Sequence, residues 1–127
     1  LMSKIRVLLV DDEVELLQAL SERLRLRGFD VAVARSGEKA LALIEAVDID
    51  LVVLDLKMPG IDGMTVLRST RRSHPQVQVI MLTGHGSEKE REEALHLGAF
   101  EYLQKPVDIV ELLDALHRAA ALRRRTS

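Results

Sequence analysis

None of the 127 residues is a cysteine. That excludes a disulfide framework and a thiolate metal site, and it fits a cytoplasmic protein. No apolar run approaches the ~18 residues of a membrane span, and no signal-peptide core stands at the N-terminus. Charge of one sign is also lacking: at a net -2 there is no overall field to draw the chain to nucleic acid or to an anionic membrane. Repeats, low-complexity tracts and linkers are absent. His74, His85, His96 and His117 are scattered, with no pair at metal-ligand spacing. Gly84-His85-Gly86-Ser87 is not followed by Gly-Lys-Ser/Thr, and no Gly-x-Gly-x-x-Gly occurs, so neither a P-loop nor a dinucleotide site is written here.

What is present is an ordinary globular balance, 47% hydrophobic and 30% charged, with nothing to suggest disorder. The length makes one domain with a real core and is too short for two. Leu1 ahead of Met2 reads as a residue added before the natural start, and Ser127 is open to the same reading as a cut end.

The most informative stretch is residues 49–63, IDLVVLDLKMPGIDG. Leu51 to Leu54 is apolar on both faces, as a central parallel strand with helices on both sides must be. It ends on Asp55, just before Pro59 and Gly60 stop regular structure. On its own Asp55 reads as an exposed loop acid or a helix cap. Its company elsewhere in the chain says otherwise.

Strand and helix signals alternate five times. Apolar runs predict strands over 5–10, 30–34, 51–54, 77–82 and 100–104. Val14, Leu17, Leu20 and Leu24 recur at helical spacing before Gly28, where the helix closes in the left-handed conformation. Ser36 caps a second helix carrying Ala40, Leu41 and Ile44. Asp62 or Gly63 starts a third, with Met64, Val66 and Leu67 inward, that ends before Pro75. Ser87 and Glu90 have capping-box spacing for a fourth, which ends at Gly98; the acids Glu88, Glu90, Glu92 and Glu93 favour its N-terminus or form a partner surface. A fifth starts near Asp108, with Ile109, Leu112, Leu113 and Leu116 as its stripe. Such alternation with short connections implies right-handed βαβ units, hence an α/β fold with a doubly wound parallel sheet. The strand order 2-1-3-4-5 is taken over from known five-stranded sheets of this flavodoxin-like (βα)5 kind. Strands one and three then flank the switch point, and ligands bind there, outside the carboxyl ends.

The polar residues fall on that edge. Asp11 and Asp12 follow strand one, Asp55 strand three, Thr83 strand four and Lys105 strand five. With strands ~4.8 Å apart, the acids sit side by side, and Lys105 is two strands from Asp55, within reach of a long side chain. Two carboxylates ~5 Å apart at an effective dielectric of ~20 repel by roughly 3 kcal/mol, which holds protons on unless a cation intervenes. Oxygen-only ligands suit a hard divalent cation, Mg2+ first and Mn2+ as its substitute. Lys105 adds a second positive charge, and the small Gly84 beside Thr83 leaves room for a group to enter. The pocket suits an incoming phosphoryl group: Asp55 attacks, the cations hold the equatorial oxygens, Thr83 donates to one of them, and an aspartyl phosphate results.

From Lys4 to about Leu122 the sequence resembles the receiver domain of two-component response regulators. Asp11-Asp12, LDLKMPGIDG, MLTGHG, Tyr102 and Lys105-Pro106 carry the resemblance. It implies that Asp55 is the phosphoacceptor, Asp12 the direct metal carboxylate, Asp11 its helper and the backbone carbonyl of Lys57 a further ligand. Lys105 would contact the phosphoryl oxygens, after a Lys105–Pro106 bond expected to be cis. Thr83 and Tyr102 would be the switch pair: phosphorylation draws Thr83 inward, the Tyr102 ring turns in from solvent, and the face of helix four, strand five and helix five changes shape. Taken alone, Tyr102 is a half-buried ring at a strand edge. The implied donor is a phosphohistidine of a sensor histidine kinase or phosphotransfer protein, and the implied homodimer forms through that same face. Lys57 and His85 occupy positions that vary in the family and influence dephosphorylation. The domain would cover 4–122. Residues 123–127 would be a basic tail or the start of a linker, in which Arg123, Arg124 and Arg125 complement the helix C-terminus.

Two other classes stand beside this reading. Aspartyl-phosphate phosphatases resemble a pattern with a second Asp two residues after the nucleophile, where this chain has Lys57. An interaction module that has lost phosphorylation is opposed by the intact acid pair, Asp55, Thr83 and Lys105. The expected role is a signalling element and not a metabolic enzyme, without nucleic-acid or membrane binding of its own. Its output is open between a DNA-binding or catalytic domain beyond Ser127, a stand-alone regulator and a hybrid kinase.

Overall fold

The structure, a computed structural model, describes residues 4–126, with side chains described through Leu122. Five strands and five helices alternate among these residues: β1 (Arg6–Val10), α1 (Val14–Leu26), β2 (Asp30–Ala34), α2 (Gly37–Ala46), β3 (Leu51–Leu54), α3 (Gly63–Ser73), β4 (Gln78–Thr83), α4 (Glu88–His96), β5 (Glu101–Gln104) and α5 (Ile109–Thr126). All pairings are parallel and the order is β2-β1-β3-β4-β5, as expected.

Successive side chains of a strand point to opposite faces, and the core divides accordingly. Leu8, Val10, Val52, Leu54, Val79 and Met81 meet Ala40 and Ile44 of α2, Val66 and Leu67 of α3, and Ala94 of α4. Val7, Leu9, Leu51, Val53, Ile80 and Leu82 meet Leu17, Leu20 and Leu24 of α1 and Leu112 and Leu116 of α5. Two helices therefore cover one face and three the other. β3 lies between two strands and two helix layers, which is why every one of its residues is buried.

Local chemistry sets the ends of the elements. The side chains of Ser36, Asp62 and Ser87 accept from the amides of Lys39, Thr65 and Glu90 at the starts of α2, α3 and α4. Glu90 returns the bond, accepting from the Ser87 amide at 3.0 Å, so the capping box is complete. Gly28 and Gly98 close α1 and α4 with φ of 89° and 106°, where a side chain would be strained. β4 runs one residue later than its apolar run suggests. The Val77 amide is taken up by the His74 carbonyl in a turn, while Thr83 still pairs with Gln104. β1 and β5 likewise begin at Arg6 and Glu101, one residue inside their apolar runs. α4 is polar nearly all round: Ala94 is its one buried residue. The side chains of Arg123, Arg124 and Arg125, read as a C-terminal cluster, lie outside the described ones. No helix among the described residues is long and apolar enough to cross a membrane.

Leu54 is fully buried immediately before Asp55. Leu54→Ala is expected to lower stability by about 2–5 kcal/mol, whereas Val33→Ala on edge strand β2, where the side chain is 43% exposed, should cost under about 1 kcal/mol. Urea midpoints of the two variants check the difference.

Candidate functional site

The parallel register carries the polar residues to one edge. Val10, Leu54 and Met81 are level across β1, β3 and β4. The next residues, Asp11 and Asp55, therefore emerge side by side, their amides still donating to Ala34 O at 3.1 Å and Val10 O at 2.9 Å. β4 extends to Thr83, whose carbonyl accepts from the Lys105 amide at 3.0 Å. The Lys105–Pro106 peptide bond is cis. By alternation Asp11 and Asp55 set out towards α1 and α5, while Thr83 and Tyr102 set out towards α2, α3 and α4.

Carboxylate oxygens of Asp11, Asp12 and Asp55 lie within 4.8 Å of one another. Asp11 and Asp55 are buried and Asp12 is exposed. Lys105 Nζ is 2.7 Å from Asp11 Oδ2, 2.8 Å from Glu13 Oε1 and 3.7 Å from Asp55 Oδ2. The ammonium is thus bonded to Asp11 and Glu13 and only near Asp55. Asp55 Oδ1 is buried without a hydrogen-bond partner.

The charges respond to this packing. Burial, then the Asp11 charge, pushes the Asp55 carboxyl above the usual aspartate range, against the opposing pull of Lys105 and Thr83. Burial works against the Lys105 charge, but hydrogen bonds to Asp11 and Glu13 and the field of Asp55 outweigh it and raise its pKa. The hydrogen bond and charge of Lys105 hold Glu13 below the usual glutamate range. Oxygen donors alone, two of them buried and one with an unpartnered lone pair, form a set that could hold a hard divalent cation.

Three residues enter the site that the strand-end pattern does not mark. Glu13 is one; as the N-cap residue of α1 it makes no side-chain cap bond, and its carboxylate lies on Lys105. Its position two residues after Asp11 was the available signal. Gly63 is another: a Cβ there would collide with the Asp55 carbonyl oxygen and stand 2.8 Å from Leu56 Cα. Its lack of a side chain lets α3 close against the strand end, with the Gly63 amide donating to Leu56 O at 2.9 Å. The third is Glu90, whose Oε2 accepts from Lys57 Nζ at 2.8 Å. That bond ties the β3–α3 connection to the first turn of α4.

Thr83 is buried, and its hydroxyl oxygen accepts from the His85 amide at 3.2 Å. Tyr102 departs from the expectation of a ring that turns in from solvent: it is 7% exposed and already inside. The open backbone of the β4–α4 connection leaves it that room. Burial, then the Glu90 charge, raises its phenol pKa. At Gly84 a Cβ would meet only the Lys105 side chain, its Cβ at an ordinary 3.6 Å, so packing within the protein does not itself require a glycine there. Of the scattered histidines, His74 faces Glu45 at 3.0 Å and His117 packs on Phe29.

A doubly wound sheet with an acid trio and a lysine at its switch point defines a class of signalling domain, the receivers. This chain belongs to the response regulator receiver domain family, whose pattern it matches over residues 7–117, and is a receiver of the two-component response regulators. It is 46% identical over 119 residues to the transcriptional regulatory protein CpxR of Klebsiella pneumoniae, covering 94% of this chain and 50% of that protein. With the transcriptional regulatory protein TrcR of Mycobacterium tuberculosis it shares 40% over 114 residues, 90% of this chain and 44% of the other. The chain thus spans about half the length of these two curated relatives. Its fold is similar to a CheY-like receiver domain from Methanospirillum hungatei, with a TM-score of 0.95 at 29% identity, covering 98% of this chain and 100% of the other. A receiver domain from Clostridium thermocellum gives 0.91 at 36% identity, covering 97% and 99%.

Gly63→Ala should cost about 1–3 kcal/mol by forcing α3 off the Asp55 backbone, read as a drop in the urea midpoint. A second outcome concerns pH. The folded state holds the Asp55 proton to higher pH than the unfolded chain, so stability falls as pH rises from the ordinary aspartate range through the raised value. In metal-free buffer Asp55→Asn should therefore be more stable than wild type at neutral pH, with the gap closing at acid pH. An Asn variant no more stable at neutral pH would contradict the electrostatic cause.

Proposed function

We propose that this receiver accepts a phosphoryl group on Asp55 from a phosphohistidine of a sensor histidine kinase or phosphotransfer protein, with Mg2+. The modification then reshapes the face formed by α4, β5 and α5. The carrying observation is the buried, unpartnered Asp55 Oδ1 in a carboxylate trio beside the Lys105 ammonium.

In the step, an Asp55 carboxylate oxygen forms a bond to phosphorus as the bond from phosphorus to the donor imidazole nitrogen breaks. The electron pair stays on that nitrogen, which takes up a proton. Asp12 as direct ligand, Asp11 as its helper, Asp55 and the Lys57 carbonyl would hold the Mg2+, which supplies neutralising charge between the acids and the phosphoryl oxygens. Lys105, kept charged by Asp11 and Glu13, gives up part of those bonds to a phosphoryl oxygen. Thr83 turns its hydroxyl to donate to another. Because the Asp55 side is buried, these cations act through a low dielectric and count for more than at the surface.

Thr83 and Tyr102 form the switch pair in this reading, and homodimerisation through α4, β5 and α5 is its output. Residues 4–122 are the receiver and 123–127 lead into a linker, which the doubled length of the relatives supports. Those relatives are named transcriptional regulatory proteins, so control of transcription in the cytoplasm is the role proposed for the whole protein, with DNA contact left to another domain.

Intact mass after incubation with a small phosphodonor and Mg2+ is expected to show one added phosphoryl group on wild type and none on Asp55→Asn. No gain on wild type would sink the proposal. Mg2+ alone at a hundred times its Kd should stabilise the fold by about 2.7 kcal/mol, and Asp12→Asn should abolish most of that shift.

A further inference from the structure

Gly86 lies three residues after Thr83, in the connection from β4 to α4. Its φ is outside the left-handed region occupied by Gly28, Gly60 and Gly98, so no left-handed turn calls for a glycine there. What it lacks is space. A Cβ built on Gly86 would collide with the Tyr102 hydroxyl, and would stand 2.9 Å from the ring Cζ and 3.3 Å from Thr83 Cγ2. Carbon atoms do not approach so closely without something shifting. Gly84, two residues earlier, is different: its Cβ would find only Lys105 Cβ and Cδ, at 3.6 and 3.8 Å. One connection thus holds two glycines, of which only the second is needed to seat the Tyr102 ring.

The group that fills the room is held by no polar contact. The Tyr102 hydroxyl is buried and has no hydrogen-bond partner, an unfavourable state for a hydroxyl. The ring stays in because its apolar body is buried with Met81, Met64 and Ala94 in the core beneath α4, and because residue 86 has no side chain in the way.

We propose that Gly86 is the positioning residue of the switch: its missing side chain is the opening that seats the Tyr102 ring inside the β4–α4 connection, so the in or out state of the ring is decided at residue 86. The proposal rests on the reading of Tyr102 as half of the switch pair and extends it. Thr83 Cγ2 borders the same opening, so one added methyl group there would press on both switch residues, its nearest neighbours. The ring would be expelled to the α4, β5 and α5 face, and Asp55 would keep its ability to take a phosphoryl group.

The chain has one tyrosine and no tryptophan, so tyrosine fluorescence reports Tyr102 alone. Acrylamide quenching of wild type, Gly84→Ala and Gly86→Ala, without metal or phosphodonor, should find the first two equally protected and the third quenched several-fold more strongly. With beryllofluoride and Mg2+ the ring should stay protected in the first two and exposed in the third. Gly86→Ala quenched like wild type, or a wild-type ring exposed until beryllofluoride is added, would overturn the proposal. Urea midpoints cover the case in which the variant folds poorly: Gly86→Ala should lower the midpoint when Tyr102 is present and leave it unchanged in a Tyr102→Ala background. An equal drop in both would assign the clash elsewhere and overturn it too. Intact mass with a phosphodonor separates the two readings. If wild type gains no phosphoryl group, the Asp55 assignment fails while the quenching result still decides Gly86.

Discussion

Two like charges held side by side at the end of a parallel sheet are the constraint on which this domain depends. Asp11 and Asp55 are neighbours because β1 and β3 are paired in register to Val10 and Leu54, and no side-chain rearrangement can separate them while the ladder stands. Their repulsion must be met by positive charge. In the structure that charge is the Lys105 ammonium, delivered from two strands away and gripped by Asp11 and Glu13. The sheet sets the distance and the lysine makes it tolerable. A site built this way is incomplete in charge, with more carboxylate than cation, and so is prepared for a divalent ion and for an anionic group that shares its cations.

The lysine has two ties and one near neighbour, and the difference matters. Bonds of 2.7 and 2.8 Å to Asp11 and Glu13 against 3.7 Å to Asp55 Oδ2 leave Asp55 without a direct bond from the ammonium, and its other oxygen, Oδ1, is buried without a partner. Glu13 sits at the edge, largely in solvent, where its hold is weak. An ammonium held by a surface acid can be redirected more cheaply than one locked in the interior. Gly63 works from the other side, letting α3 press on the backbone of Asp55 so that the carboxylate is presented by a rigid wall.

Much of this was legible from one sequence. The alternation of apolar runs and helical stripes gives the sheet, and Asp11, Asp12, Asp55, Thr83 and Lys105 are visible because each follows a strand. What could not be read depends on side-chain reach and on the space around backbone atoms. Glu13 and Glu90 look like helix-start acids, and only the fold shows that each meets a lysine from another connection. Gly63 and Gly86 look like turn glycines, although the positive φ belongs to Gly28, Gly60 and Gly98. Their requirement is a close approach, which leaves no trace in local pattern. The strand position of Tyr102 follows from the apolar run, but its rotamer is a property of packing, not of local sequence.

α4 carries the last consequence. A helix with one buried residue contributes little to the free energy of the whole fold. Its capping box, its Lys57 tether and the partly buried Leu95 within it and Leu97 at its C-cap are what keep it in place. Elements of this kind open locally at a fraction of the global unfolding free energy, and their amides exchange with solvent long before those of the central strands. α4 is therefore a shallow part of the energy landscape set against a deep one. Reversing a 1:99 population of such an element needs only about 5.5 kcal/mol, and the central strands need not move for it to do so.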